Sequence, residues 1–294
     1  LNREELLMPQ AKIGVIGGTG LYHIEGMTDI HEMDVDTPFG KPSDSIVFGK
    51  LNGVGIAFLP RHGRGHRIIP SEIPARANIY ALKAMGVEHI IGINTCGSFK
   101  EEVRPGSLLI PDQVIDRTQG RVGTFFGDGV VVHVSMADPF CQVLSKVLLD
   151  SARESGATVH QKGTYVVMEG PAFSTRGESL LYKAWGADVI GMTIFPEAKL
   201  AREAEICYAS VCCITDYDCW KEENVSAEII IGFIKQNVAI AKQIIKLAAG
   251  KIQLKRGCEC ASALKRAIVT APAIMTLEQK KKFDLLLGQY IEKK

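Results

Sequence analysis

Residues 187–218 read ADVIGMTIFPEAKLAREAEICYASVCCITDYD, and this stretch decides the fold class. Ala187–Met192 is a short apolar run bounded by Gly186, which predicts a buried strand. Pro196–Glu205 predicts a helix, with Pro at its first position. Ile206–Ile214 is a longer apolar run and predicts a second strand, ending at the polar Thr215-Asp216-Tyr217-Asp218. The strands are apolar throughout instead of alternating, as expected for strands covered on both faces.

The same alternation extends outward from this unit. Upstream, strands are predicted over 12–18, 46–51, 54–60, 87–93, 108–114 and 163–168. Asn52-Gly53 supplies a hairpin turn between two of them. Helices are predicted from a Ser71 cap to Met85, from Asp138-Pro139 to Ser155, and from a Ser174 cap to before Gly186. Downstream, residues 227–249 predict the longest helix, closed by Gly250. The expected fold class is α/β: a central mixed sheet flanked by helices on both faces, with a C-terminal helical extension. One domain over 11–250 and an extension over 251–294 follow, the latter packed on the domain or at a subunit interface. Thr276-Leu-Glu-Gln279 fits a capping box for a final helix.

Composition narrows the function. The chain has 294 residues, 46% apolar and 23% charged, with a net charge of +1. A chain of this length buries about three quarters of its unfolded surface, so stability does not call for disulfides or metals. No long basic stretch supports nucleic-acid binding, and Lys280–Lys282 reads as a solvated helix face. The apolar segment Ile229–Ala249 is interrupted by Lys235, Gln236, Asn237, Lys242 and Gln243 and fails as a membrane span. No basic-then-apolar leader is visible, and a cytoplasmic protein is expected. Eight cysteines include no Cys-x-x-Cys pair, which argues against a zinc ribbon, and no metal site is expected. Cys207, Cys212 and Cys213 read as buried thiols. Cys258-Glu259-Cys260 reads as a strained disulfide, a redox pair or neither.

In an open α/β sheet, ligands bind beyond the carboxyl ends of the strands. Gly17-Gly18-Thr19-Gly20 follows the first strand and suits either an anion, through close backbone N–H groups, or a plain tight turn. It matches neither a dinucleotide fingerprint nor a Walker loop. Arg61-His62-Gly63-Arg64-Gly65-His66 is either an anion site, with the Arg61 fork on phosphate, or a solvated basic loop. Asp216-x-Asp218 suits acid catalysis, since burial and like charge raise a carboxyl pKa. A cap, a turn or a divalent-metal site is the alternative there. Glu169 could bind a sugar hydroxyl or be a structural acid, and Met192 could lie on a sugar or fill core.

Taken in order, these stretches resemble the trimeric purine nucleoside phosphorylase family, in its methylthioadenosine phosphorylase branch. The matching segments are Ile13–Leu21, Asp36–Asp44, Arg61–His66, Asn94–Ser98, Gly170–Glu178, Gly186–Glu197 and Thr215–Trp220. The resemblance implies a phosphate-dependent cleavage of a purine nucleoside, with inorganic phosphate as co-substrate and no cofactor. It implies a phosphate site of Thr19, Arg61, His62, Asn94, Thr95 and Thr193. It implies a nucleoside site of Met192 and Phe173, with Asp216 and Asp218 facing the purine. Asp216 would protonate the leaving base, and Asp there argues for a 6-amino over a 6-oxo purine. Ala227, Ile230 and Ile231 would line a 5′-methylthio pocket, with Ser174 and Ala227 tuning specificity. A purine nucleoside phosphorylase of broader specificity is the alternative. The resemblance further implies a homotrimer, alone or as a dimer of trimers, with His133 in a segment reaching the neighbouring site. Asn94-Thr95 departs from the Thr-Ala pairing of the animal enzymes. The Cys-x-Cys tail resembles those of heat-adapted archaeal members, and by that analogy Cys141 and Cys207 would pair.

Overall fold

The computed structural model describes residues 9–18, 20–21, 24–221, 227–253 and 255–291, without the side chains of 227–236. Among the described residues, eleven strands form one mixed sheet. Along its main path the order is β2 (Thr28–Met33), β3 (Ile46–Leu51), β4 (Val54–Pro60), β1 (Ile13–Gly17), β5 (His89–Ser98), β10 (Val189–Gly191), β9 (Thr164–Val167) and β7 (Gln113–Asp116). A branch leaves β5 through β11 (Cys207–Asp216) to β6 (Leu108–Ile110) and β8 (Val159–Gln161).

β11 shows why its sequence is apolar without alternation. Tyr208, Cys212 and Ile214 face one half of the core, with Ile79 and Leu82 of helix α1 (Ala75–Ala84) and Leu200 of α4 (Ile194–Glu203). Cys207, Ala209, Val211 and Cys213 face the other half, with Leu144 and Leu148 of α2 (Gln142–Glu154) and Ile244 and Ile245 of α5 (Ala227–Lys251). Both pleat faces are therefore buried. A smaller cluster of Phe99, Val166 and Tyr182 seats α3 (Arg176–Ala184).

Strand β5 organises the site. It runs parallel to β1 over His89–Gly92 and parallel to β11 over nearly its whole length. At Gly97 and Ser98 its free edge is taken by the antiparallel β10. Between those two pairings the sheet divides. Thr95, alone in β5, is exposed there.

Several local expectations are corrected. Asn94–Ser98 is strand, because β11 pairs with it through Gly97 and β10 pairs with Gly97 and Ser98. The single predicted strand over 108–114 is two, broken at Pro111, which has no N–H to donate. Ser71 lies in a short 3-10 turn, and α1 begins only after Pro74. Thr175, not Ser174, caps α3, in a full capping box with Glu178. α5 continues through Gly250. β2 and β8 had no legible signal; β2 is exposed along most of its length. The capping box of Thr276 and Gln279 is present and opens α6 (Leu277–Lys282), followed by α7 (Asp284–Leu287).

The described residues beyond 251 lie on the domain and share its core. Leu264, Met275, Phe283 and Leu287 join the cluster that holds Phe126 and Val130. The buried Glu205 carboxylate accepts from the Leu264 N–H (3.0 Å), Gln289 (2.6 Å) and the Tyr290 hydroxyl (2.6 Å). Among the described residues, no helix is long and apolar enough to cross a membrane.

Candidate active site

Where the sheet divides, the ends of β1, β4, β5, β10 and β11 converge. Arg61 follows β4 directly, and its N–H donates to the Gly17 carbonyl (2.9 Å), tying the β4 end to the glycine turn. Its side chain is buried. Nε donates to Glu197 Oε1 and Nη2 to Glu197 Oε2 (3.0 Å). Nη1 reaches the Ile93 carbonyl (3.0 Å) and Nη2 the Ile16 carbonyl (3.3 Å). Burial acts to discharge the guanidinium, but the Glu197 carboxylate outweighs it and holds Arg61 firmly cationic. Four of its five N–H groups are thus used within the protein. Arg61 sits in a buried ion pair that braces the ends of β1 and β5, not in the open fork expected.

His62 is half-buried, with Nδ1 against the Ile68 carbonyl (2.8 Å) and its ring stacked on His66 at 4.2 Å. A carbonyl only accepts, so Nδ1 carries the hydrogen and Nε2 is left as acceptor. Burial first, then the Arg61 charge, push its pKa down to about 4. The imidazole is neutral at physiological pH.

Asn94 and Thr193, 99 positions apart, are hydrogen-bonded: Thr193 Oγ1 donates to Asn94 Oδ1 (2.8 Å). Asn94 Nδ2 donates to Ser210 Oγ (2.7 Å) on the adjacent β11, fixing the amide orientation. Thr193 precedes α4 but its hydroxyl does not cap that helix, having been drawn to Asn94. Arg61, Asn94 and Thr95 are therefore assembled around Ile93, with Thr193 joined through Asn94. Thr19 lies outside the described residues.

The acidic end lies three residues further along β5, about 10 Å of extended chain. Asp216 stands opposite Gly97 across a β-bulge after Ile214. A Cβ at Gly97 would come within 2.9 Å of Asp216 Oδ1, so the glycine makes room for the carboxylate. Asp216 Oδ2 accepts from the Thr215 hydroxyl (2.7 Å), and Oδ1 accepts from the Asp218 N–H (2.8 Å). The second bond is an Asx turn, which gives the Asp-x-Asp spacing a physical basis. Asp218 adopts a left-handed φ of 50° and is 4% exposed. Ser179 donates to it, as does Ser174 (3.2 Å). Burial is the largest cause raising the Asp218 pKa; the Asp216 charge adds to it, and the two serines offset part.

Between the two ends, Met192 packs on Gly170, where a Cβ would fall 2.5 Å from its sulfur. Phe173 is exposed. Ala227 and Ile231 begin α5, and their side chains lie outside the described residues. Glu169 receives Arg121 Nε (3.1 Å) and the Gln119 N–H, so it is a structural acid here.

Three residues of this arrangement went unread in the sequence. Glu197 was legible in principle: with Leu200 and Ala201 it lies on the buried stripe of α4, where an unpaired acid is unfavourable. Ser179 could have been found as the polar member of the buried side of α3. Arg121 gave no signal; its guanidinium, 4% exposed, also bridges to the Met192 (2.5 Å) and Phe195 (3.1 Å) carbonyls.

A cluster of polar side chains and, about a strand segment away, two acids of which the buried Asp218 has a raised carboxyl pKa suit a phosphorolytic cleavage. A sequence model of the phosphorylase superfamily matches residues 12–249. The chain belongs to the phosphorylase superfamily. Within it, this phosphorylase is 56% identical over 282 residues to the S-methyl-5′-thioadenosine phosphorylase of Geobacter sulfurreducens, covering 95% of this chain and 99% of that one. It is 48% identical to the same enzyme of Koribacter versatilis, covering 96% and 97% of the two chains. A methylthioadenosine phosphorylase from an antarctic soil metagenomic library superposes with a TM-score of 0.91 at 48% identity, over 95% of this chain and 99% of that one. The Schistosoma mansoni methylthioadenosine phosphorylase in complex with adenine superposes at 0.82 and 38% identity, over 87% and 96%. The phosphorylase thus sits in the methylthioadenosine branch that its motifs resemble.

Proposed function

We propose that the protein catalyses phosphorolysis of 5′-methylthioadenosine to adenine and 5-methylthio-α-D-ribose 1-phosphate. The observation that carries the reading is the pairing of Asp216 with the buried Asp218 beside Gly97, on the strand that also bears Asn94 and Thr95. A phosphate oxygen attacks the anomeric carbon as the bond to the purine breaks. The electron pair moves onto the base, and the carboxylate pair delivers a proton to it; the proton lost from phosphate restores the pair. Asp216, the more accessible of the two acids, faces the base and hands over the proton beside the buried Asp218. Its oxygens accept from the 6-amino group, which favours adenine over a 6-oxo purine.

Asn94, Thr95 and Thr193 form the phosphate end, to which the family resemblance adds Thr19, outside the described residues. His62 Nε2 accepts from a protonated phosphate oxygen. Arg61, paired with Glu197, braces that end from beneath by holding the Ile16 and Ile93 carbonyls. Met192 and Phe173 contact the sugar, and Ser174 orients Asp218. The family resemblance assigns Ala227 and Ile231, whose side chains lie outside the described residues, to an apolar 5′ pocket. The reading includes no cofactor, a cytoplasmic homotrimer and small-molecule partners only.

The test is release of adenine from methylthioadenosine with and without phosphate, beside adenosine and inosine. Turnover should require phosphate, and kcat/KM should be highest for methylthioadenosine. Asp216→Asn should lower it by about 10²–10⁴-fold, the usual worth of general acid catalysis. Adenine release without phosphate, or preference for inosine, would overturn the reading.

A further inference from the structure

Four of the eight cysteines meet far from this cleft. The sulfurs of Cys141, Cys207, Cys258 and Cys260 all lie within 4.8 Å of one another, and Cys207 and Cys258 are 3.3 Å apart. They come from three places in the chain. Cys141 immediately precedes α2, Cys207 opens β11, and Cys258 and Cys260 belong to the extension. Three are buried and Cys258 is partly so, and all four are free thiols.

We propose that these four cysteines form a tetrathiolate site for one zinc ion, a structural clip between the domain and its extension. A tetrahedral zinc with Zn–S bonds near 2.3 Å sets its sulfurs about 3.8 Å apart. The cluster, with every sulfur within 4.8 Å of the others and one pair at 3.3 Å, brackets that value closely enough for a small adjustment. Binding releases four thiol protons to solvent: Zn²⁺ and four S–H groups give a tetrathiolate of charge −2 and four H⁺. The surroundings suit that charge. Arg202 Nη1 is 3.8 Å from Cys260 Sγ, and the N-terminus of the thirteen-residue helix α2 begins beside Cys141. The absence of a Cys-x-x-Cys pair excludes a ribbon but not this site, because its ligands are gathered by tertiary structure.

Paired disulfides are the competing use of the same atoms. They need an oxidant, whereas zinc binding changes no oxidation state. In the structure each sulfur neighbours the other three, and Cys207 contacts Cys258 as well as Cys141, an arrangement without evident pairs.

The experiment uses the full chain expressed with zinc and purified in a non-chelating thiol reductant. Elemental analysis after gel filtration should find about one zinc per chain. Replacement by cobalt should give the visible ligand-field bands of a tetrahedral thiolate. Cys258→Ser with Cys260→Ser should lose the metal, while Cys219→Ser, outside the cluster, should keep it. If the double variant does not fold, the cobalt spectrum of the unaltered chain decides. Metal-free protein that takes up neither ion under reducing conditions overturns the proposal. So does protein purified with zinc and without oxidant whose four cysteines are found by mass spectrometry in disulfides.

Discussion

His62 illustrates how one residue ties the site to solution conditions. Its folded pKa is held to about 4 by burial and by Arg61, while an unfolded histidine titrates near 6.5. The sign follows from proton counting. Between those values the unfolded chain takes up a proton that the folded chain refuses, so stability falls as pH falls. The contribution is fully present above about pH 6.5 and fully lost below about pH 4. Urea midpoints measured from pH 7 to pH 4 should therefore drop more steeply for the unaltered protein than for His62→Gln. Parallel curves would show that the imidazole titrates freely. At the same scale, the polar types at strand ends were legible: Asn94, Thr95, Asp216 and Asp218 stand where ligands meet an α/β sheet. Their partners were not. Thr193 is bonded to Asn94 and Ser179 to Asp218 only because separate elements meet, which no local pattern encodes.

Among elements, the decisive contact joins the end of β4 to α4. Glu197 is 1% exposed and holds Arg61 through two bonds and Tyr208 through a third (2.9 Å). Glu197→Gln preserves shape but leaves a buried guanidinium uncompensated. Breaking a buried pair from one side costs about 3–5 kcal/mol. Chemical denaturation should show a loss of that order. A loss below about 1 kcal/mol, as for an exposed pair, would mean the two charges are solvated. Strand and helix positions were read well where apolar runs were long, as in β3, β4 and β11. They were misread where tertiary pairing overrode local chemistry. Asn94–Ser98 looks like a turn, yet β11 and β10 extend it as strand. Ser174 looks like a helix cap, yet its hydroxyl serves Asp218 and Thr175 caps instead.

Over the whole molecule, the extension completes the domain core. Phe283 is 1% exposed and its ring lies 5.4 Å from that of Phe126. Phe283→Ala leaves a large cavity, and such truncations cost about 3–5 kcal/mol. The urea midpoint should fall accordingly, in one cooperative transition. A small early transition with the main one unchanged would show instead that the extension unfolds by itself. The sequence alone determined the α/β class, the alternation of strands and helices, and the set of polar residues at strand ends. These depend on hydrophobic period and turn chemistry, which are local along the chain. Only the tertiary structure decided that Arg61 is paired with Glu197, 136 positions away, and that burial raises the carboxyl pKa of Asp218. It also decided that cysteines without a metal-binding spacing meet in one cluster. Each of these depends on strand order and on which faces meet, and a buried charge or thiol takes its chemistry from those neighbours rather than from its place in the chain.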